Sequence, residues 1–224
     1  MTTDSIEAAA ARLSDIRDNI DRAASLTGRK GADINLIAVS KTHEAPAIQP
    51  LIDAGQRAFG ENRVQEAQGK WPALREATPG IVLHLVGQLQ SNKADDAVAL
   101  FDVIHSLDRP SLLTALAKAM DKAGRQIPCF IQVNIGAEAQ KGGCPIADTP
   151  ALIAAARAAD VPVAGLMCVP PVDVEPAPYF ALLAKMAREE GLDRLSMGMS
   201  GDYETAIMLG ATDIRVGAAL FGAR

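Results

Sequence analysis

Cysteine is sparse in this 224-residue chain, and its pattern excludes two kinds of stabilising site. The three cysteines, Cys129, Cys144 and Cys168, are widely spaced and odd in number, and no two of them form a C-x-x-C pair. This pattern argues against a disulfide framework and against a zinc site. We therefore expect no metal centre and a reducing, cytoplasmic setting.

The chain also lacks a basic surface and a long apolar run. Its net charge is −5 at pH 7 and it has no run of like charges, whereas a general nucleic-acid binder needs a basic face to neutralise phosphate. The start, Met1 to Asp4, is polar and acidic, and no apolar stretch is long enough to cross a bilayer. Nucleic-acid binding and membrane insertion are therefore not expected.

What the chain does have is a repeated alternation of short apolar strands with polar, alanine-rich helices. An amphipathic helix is predicted at about residues 4–26, ahead of this repeat. Strands are predicted at 34–41, 57–62, 81–87, 101–107, 128–135, 162–169, 195–200 and 213–217. Alternating β and α elements require parallel strands joined by right-handed crossovers. The pattern predicts an α/β fold, a single (β/α)8 TIM barrel domain over residues 1–224, and a doubly wound open sheet is the alternative.

The first predicted strand runs through apolar residues from Ile34 and ends in Lys41. Alternation places Lys41 on the same face as Ile37 and Val39. An amine held against apolar walls loses hydration, so its pKa falls and part of it becomes a nucleophile suited to Schiff-base chemistry. The alternative is a strand-end lysine whose stem packs while its ammonium group stays in water.

The last two predicted strands end in small residues that suit an anion. Ser200 and Gly201 end strand seven, Gly217 ends strand eight, and residues 218–221 can form one helical turn. Barrels often bind phosphate with the loops after these two strands and a short extra helix, whose N–H groups face the anion. The alternative is that these glycines only relieve turns and close packing.

Arg215 shares a face with Gly217, so its side chain should point into the barrel or its mouth. There it should either contact a ligand or form an internal salt bridge. Strand one adjoins strand eight once the barrel closes, which brings Lys41 to the same small site. An amine, a phosphate-binding turn and an arginine together suit a phosphorylated aromatic aldehyde, of which pyridoxal 5′-phosphate (PLP) is the obvious example.

Several motifs, read together, resemble the pyridoxal phosphate homeostasis proteins over nearly the whole chain. The fold of that family is similar to the barrel domain of alanine racemase, a fold-type III PLP-binding barrel. The motifs are Ala38-Val39-Ser40-Lys41-Thr42, Phe59 to Glu66, His84 to Lys93, Gln132-Val133-Asn134, Gly165-Leu166-Met167, Leu195 to Ser200 and Arg215 to Arg224.

The resemblance implies a role for each site residue. Lys41 matches the lysine that holds PLP as an internal aldimine, and Arg215 matches the arginine that faces the pyridine nitrogen and weakens the cofactor as an electron sink. Ser200 and Gly217 match phosphate-contacting positions, and Asn62 matches a polar residue at the edge of the site. The residue after Gly217 is often threonine in the family, so Ala218 removes a hydroxyl contact and should weaken binding somewhat while keeping its backbone N–H.

Two functions are compatible with this resemblance. The first is a carrier or regulator of intracellular PLP, expected to be a monomer, that passes the cofactor to PLP-dependent apo-enzymes. The second is a PLP enzyme such as an amino-acid racemase, which needs acid and base groups on both faces of its substrate. Only Tyr179 and Tyr203 could supply the tyrosine base used by alanine racemase, and the second domain of that enzyme is missing, which favours the carrier.

Other polar residues have simpler interpretations. His84 and His105 fall within strands and should be core histidines with satisfied hydrogen bonds, whereas His43 could support the site or be exposed. Lys93 and Lys141 are rival nucleophiles that should be solvated, and the loop 141–144 could cover the site. Tyr203 is expected near the phosphate-binding loop, with a helix-packing role as the alternative. Met167, Met197 and Met199 are expected in the core or in the wall of the cofactor site.

Overall fold

A computed structural model describes residues 5–222 of the chain, in which eight parallel strands close into a barrel. Each strand pairs with the next in sequence, and β8 pairs with β1. The predicted (β/α)8 barrel is confirmed, and the open-sheet alternative is wrong. The strands are β1 (Asn35–Val39), β2 (Ala58–Glu61), β3 (Val82–Leu85), β4 (Val103–Leu107), β5 (Cys129–Val133), β6 (Val163–Cys168), β7 (Arg194–Ser196) and β8 (Asp213–Val216).

Helices cover the outside of the barrel between the strands. In residues 5–222 they are α1 (Ile6–Ser25), α2 (Ala45–Asp53), α3 (Val64–Ala77), α4 (Ala94–Leu100), α5 (Pro110–Ala123), α6 (Thr149–Ala158), α7 (Ala177–Glu189), α8 (Tyr203–Met208) and α9 (Ala218–Phe221). Within these residues, no helix combines the length and the apolar character needed to cross a membrane.

The added N-terminal helix, α1, is amphipathic as predicted. Its N-cap is Ser5, whose hydroxyl accepts a hydrogen bond from the Ala8 N–H at 3.1 Å. Leu13, Ile16 and Ile20 are buried on one face, which packs against α2 and α8. This helix therefore sits beside the first and last units of the repeat, next to the seam where β8 meets β1.

Strand β7 is shorter than predicted, and this changes the position of Ser200. The strand ends at Ser196, and Gly198 adopts φ +95° in the left-handed region. A Cβ on Gly198 would lie 2.6 Å from the Cβ of Ala206, so only glycine fits. The chain still contacts β8 here, because the Arg215 N–H donates to the Gly198 carbonyl at 3.0 Å. Ser200 consequently lies in a turn beyond the strand instead of at its end.

Candidate functional site

A cavity of about 570 Å³ opens at the C-terminal mouth of the barrel, between the ends of β1, β2 and β8. Val39 of β1 and Val86, just after β3, form part of its apolar wall. The predicted site residues all line this one cavity: Lys41, Asn62, Ser200, Arg215, Gly217 and Ala218. The register explains this convergence, because Ile37 pairs with Arg215 and the two strands end side by side.

Lys41 occupies a turn directly after β1, and its side chain is exposed. Of the two alternatives, this exposure favours the strand-end lysine whose ammonium group stays in water over the amine held against apolar walls. The residue that follows, Thr42, adopts φ +65°, which turns the chain sharply away from the strand direction. Its N–H donates to Glu66 Oε1 on α3, so the turn is anchored from outside the barrel.

Beneath this turn lies a buried ion pair that sequence reasoning missed. Lys70 Nζ lies 2.9 Å from Glu61 Oε1, and the two side chains are only 4% and 0% exposed. The same ammonium group donates to the carbonyl oxygens of Ser40 at 3.0 Å and His43 at 2.8 Å, on either side of Lys41 and Thr42. Lys70 thus fixes both ends of the turn that carries Lys41.

His43 also supports the turn, in agreement with the supporting role considered for it. Its ring is half-buried, lines the cavity and stacks on Phe221 of α9, with centroids 4.4 Å apart and planes at 14°. This contact ties the turn after β1 to the short helix after β8.

Arg215 is the buried cation of the cavity, and neutral groups hold it. Its side chain points inward from β8, and the residue is 5% exposed. Nη1 donates to Ser196 Oγ at 2.6 Å, and Nη2 donates to the Cys168 carbonyl at 2.9 Å. Burial lowers the pKa of Arg215 below its ordinary value. Within residues 5–222 it forms no ion pair, so the structure does not support the alternative of an internal salt bridge.

The turn at Gly217, which lines the cavity together with Ala218, contains main-chain N–H groups that the first hydrogen bonds of α9 leave unused. The first hydrogen bonds of α9 are donated by Leu220 and Phe221 to the Gly217 carbonyl, so the N–H groups of Ala218 and Ala219 precede them. Ser200 Oγ accepts from the Gly217 N–H at 3.4 Å, which brings that hydroxyl to the same turn. The predicted helical turn at 218–221 is confirmed by α9.

The packing around Gly217 leaves open space where a side chain would stand. A Cβ built on Gly217 would come no closer than 3.4 Å to any other residue, at the Val39 carbonyl. The φ of −116° is one that other residues adopt. Crowding therefore does not require glycine here, whereas close approach of an anion to the main chain would.

The cavity is positively charged although the protein as a whole is acidic. Lys41 and Arg215 line it, and no Asp or Glu does among the described residues. The net charge of the chain is −5. A local positive field in an acidic protein favours an anionic ligand at this mouth.

The other candidate residues lie outside this cavity. Lys93 pairs with Asp96 at 3.5 Å. Lys141 Nζ lies 2.7 Å from Glu138 Oε2 and donates to the Pro170 carbonyl at 3.1 Å. Both lysines are only partly exposed, so neither is as fully solvated as expected. None of the residues 141–144 belongs to the described wall of the cavity.

Tyr203 and the methionines behave as packing residues. Tyr203 is buried, and its hydroxyl accepts from Asn19 Nδ2 of α1 at 3.1 Å. Met167 and Met197 are buried in the core, whereas Met199 lines the cavity. These positions agree with the sequence interpretation.

Comparisons with known proteins identify the family. The family described as "Alanine racemase, N-terminal domain" matches residues 11–224. The pyridoxal phosphate homeostasis protein of Escherichia coli K12 is 40% identical over 224 residues, which span 95% of each chain.

Solved structures agree with these sequence matches. The structure of PipY from Synechococcus elongatus with PLP bound is 40% identical, covers 91% of this chain and 100% of its own, and superimposes with a TM-score of 0.80. An alanine racemase from Clostridium difficile shares the fold at 15% identity and a TM-score of 0.68, and 55% of that enzyme's chain is covered. The chain belongs to the pyridoxal phosphate homeostasis protein family, whose barrel is that of the alanine racemase N-terminal domain.

Proposed function

We propose that the protein binds PLP at the C-terminal mouth of the barrel and serves in PLP homeostasis. The observation that carries the proposal is the convergence of Lys41, Arg215 and the turn at Gly217 on one cavity of about 570 Å³. A relative with 40% identity has been solved with PLP bound, and curated relatives are named for PLP homeostasis.

The residues of the cavity fit the chemical groups of PLP. The phosphate suits the N–H groups at Gly217 and Ala218 together with the Ser200 hydroxyl. The guanidinium of Arg215 is a permanent donor that suits an unprotonated ring nitrogen. Asn62 lines the edge of the same cavity and can donate or accept a hydrogen bond.

Lys41 is proposed to hold the cofactor covalently. Its amine nitrogen adds to the aldehyde carbon, and loss of one water molecule leaves an imine. Exposure of Lys41 suits a carrier, because a recipient protein or water must reach the imine to release the aldehyde. The rigid turn beneath it keeps the amine at the mouth without burying it.

We further propose that the protein works as a monomer in the cytoplasm and passes PLP to apo-enzymes that require it. The three cysteines are free thiols and buried, which suits a reducing compartment. The effect would be to limit the concentration of a reactive free aldehyde.

Absorption spectroscopy and mass mapping test the attachment together. Purified protein loaded with PLP should show an imine band that Lys41→Ala abolishes and Lys93→Ala retains, since Lys93 lies outside the cavity. Borohydride reduction followed by peptide mapping should place the added mass on Lys41. Retention of the full band by Lys41→Ala, or labelling of another lysine, would contradict the proposal.

The racemase alternative has less support from the cavity. Neither Tyr179 nor Tyr203 is part of its wall, so no tyrosine stands where a second base would be needed. Lys41-dependent exchange of an amino-acid α-proton in deuterated water would favour the enzyme, and no exchange across a broad panel would exclude it.

A further inference from the structure

A chain of buried hydrogen bonds runs behind Arg215 through the interior of the barrel. Ser196 Oγ, which accepts from Arg215, lies 2.8 Å from His105 Nδ1, and His105 Nε2 lies 2.9 Å from His84 Nδ1. Ser196, His105 and His84 are 0%, 0% and 1% exposed. Within residues 5–222, His84 Nε2 has no hydrogen-bond partner, so the expectation of a fully satisfied core histidine is wrong for His84.

The direction of the donors along this chain follows from proton counting. Arginine can only donate, so Ser196 Oγ accepts from Arg215 and has one proton of its own to donate. If Ser196 donates to His105 Nδ1, the His105 proton resides on Nε2 and is donated to His84 Nδ1. Only His84 Nε2–H then remains without a partner.

The opposite direction leaves more groups unsatisfied. With the His105 proton on Nδ1, the Ser196 oxygen would accept from both Arg215 and His105. The Ser196 hydroxyl proton would then have no acceptor among residues 5–222. His84 Nε2 would also be an unused acceptor. Burial lowers the pKa of both histidines, to about 4 for His84, so both rings are neutral and each carries one proton. Because each unsatisfied buried group is costly, the first direction is favoured.

This direction also stabilises the buried charge of Arg215. Each member of the chain turns its lone pair toward the arginine and its proton away, so the dipoles point their negative ends at the guanidinium. The other neutral acceptor is the Cys168 carbonyl. A buried cation without a carboxylate needs such compensation. Stacking of His105 on Phe130, with centroids 4.4 Å apart, restrains the middle ring.

We propose that Ser196, His105 and His84 form a positioning chain, with donors running from Arg215 toward His84, that fixes the Arg215 guanidinium toward the ligand cavity. The effect on the cofactor rests on the proposed PLP binding, whereas the direction of the donors along these hydrogen bonds does not. His84 lines a separate cavity of about 700 Å³ at the N-terminal mouth and not the PLP cavity. A substitution at His84 therefore makes no change in the wall of the PLP cavity, and its hydrogen-bonded connection to Arg215 runs through His105 and Ser196.

Nuclear magnetic resonance of the protein without PLP tests the direction. Two-bond ¹H–¹⁵N correlations report which ring nitrogen carries the proton. His43 serves as the reference because it is not part of the hydrogen-bond chain formed by Ser196, His105 and His84. His84 and His105 should both be protonated on Nε2. His84→Leu and His84→Gln should both keep the His105 proton on Nε2, because its transfer to Nδ1 would leave the Ser196 proton without an acceptor. Only His84→Gln offers this Nε2–H an amide oxygen in place of the lost imidazole nitrogen. Nδ1 protonation of both rings in the wild type would overturn the proposal.

Titration with PLP tests the positioning role. His84→Leu should bind PLP up to about ten-fold more weakly, the scale of one buried hydrogen bond between neutral groups, and shift the absorption maximum. His84→Gln should restore both. Val82→Ala changes the same N-terminal cavity at a residue that makes none of these hydrogen bonds, and it should match the wild type.

Each remaining outcome decides between the two proposals. If the wild type binds PLP and His84→Leu matches it in affinity and absorption, the positioning role is refuted. If His84→Leu does not fold, Ser196→Ala replaces it in the PLP titration and should weaken binding to a similar degree. The direction of the donors is then decided from the histidine tautomers of the wild type. Absence of PLP binding in the wild type would refute the proposed function and the role toward the cofactor, and the tautomers would still decide the direction.

Discussion

Replacing Lys70 with methionine should lower the free energy of unfolding by about 3–5 kcal/mol, the cost of removing one partner of a buried ion pair. Among residues 5–222, Glu61 would keep as donors only the Ser40 hydroxyl at 2.6 Å and the Trp71 indole N–H at 3.0 Å, and its charge would be uncompensated. The carbonyl oxygens of Ser40 and His43 would each lose a donor as well. These losses place the expected value in the upper half of the range.

Urea denaturation followed by circular dichroism measures this loss against two controls. The double variant Lys70→Met with Glu61→Gln removes both charges and should recover at least about 1–2 kcal/mol, because no buried charge is left unpaired. Lys93→Met breaks a partly exposed pair with Asp96 and should change stability by less than about 1 kcal/mol. A loss for Lys70→Met no larger than that of Lys93→Met would refute the assigned role of the buried pair.

The same variant should loosen the turn that carries Lys41. The Thr42 N–H donates to Glu66, which itself accepts from Lys70 at 3.2 Å. Amide exchange at Thr42 should therefore accelerate by more than the change in global stability explains. Equal acceleration across the whole barrel would mean that Lys70 supports the fold and not the turn in particular.

Three further predictions concern single groups. The thiols of Cys129 and Cys168 should resist maleimide at about pH 8 until the protein is unfolded, because burial raises the pKa of each to about 12; labelling of the native protein, seen by mass spectrometry, would contradict this. Lowering the pH from 6.5 toward 4 should lower the free energy of unfolding by about 3 kcal/mol through His84 alone, because burial lowers its pKa to about 4 and the unfolded chain therefore binds the proton first. His105, whose pKa burial also lowers, should add to this loss. Urea titrations at several pH values should show a shallower dependence for His84→Gln. Ala218→Thr should bind PLP about five-fold more tightly by calorimetry, whereas Ala219→Thr, outside the cavity, should not.

The barrel and the convergence of its strand ends could be predicted because both follow from local patterns. Alternation of apolar strands and helices fixes a parallel sheet, and closure of eight such units places β1 beside β8. The two-residue period along β8 then puts Arg215 and Gly217 on the inner face. These rules require no knowledge of distant contacts, so they were sufficient to bring Lys41 and Arg215 to one cavity.

The groups that support the site were harder to predict because their partners are distant in sequence. His105 and Ser196 are 91 residues apart, and their contact depends on the relative register of non-adjacent strands. A signal for Lys70 did exist, since it lies on the buried stripe of α3 with Ala67, Trp71 and Leu74. A lysine on an apolar stripe indicates a buried partner, but the sequence does not say that the partner is Glu61.

The structure departs from the strand pattern at the end of β7, which is earlier than predicted, and at Lys41, which is exposed, for a shared reason. Alternation describes the direction of side chains only while the backbone stays extended. Gly198 and Thr42 both adopt positive φ, so the chain leaves the strand direction at the rim of the barrel. The rim is where function concentrates and also where strand patterns stop being informative.

The two buried cations near the cavity are compensated in opposite ways, and the difference has a functional consequence. Lys70 is paired with Glu61 outside the barrel wall, so its charge is cancelled and it acts as a structural support. Arg215 is held by a serine hydroxyl and a carbonyl, so its position is fixed while its net charge is retained. A carboxylate in place of Ser196 would hold the guanidinium equally firmly but would cancel the field that an anion meets at the mouth. Neutral acceptors behind the arginine therefore allow one residue to be both rigid and attractive to a phosphorylated ligand.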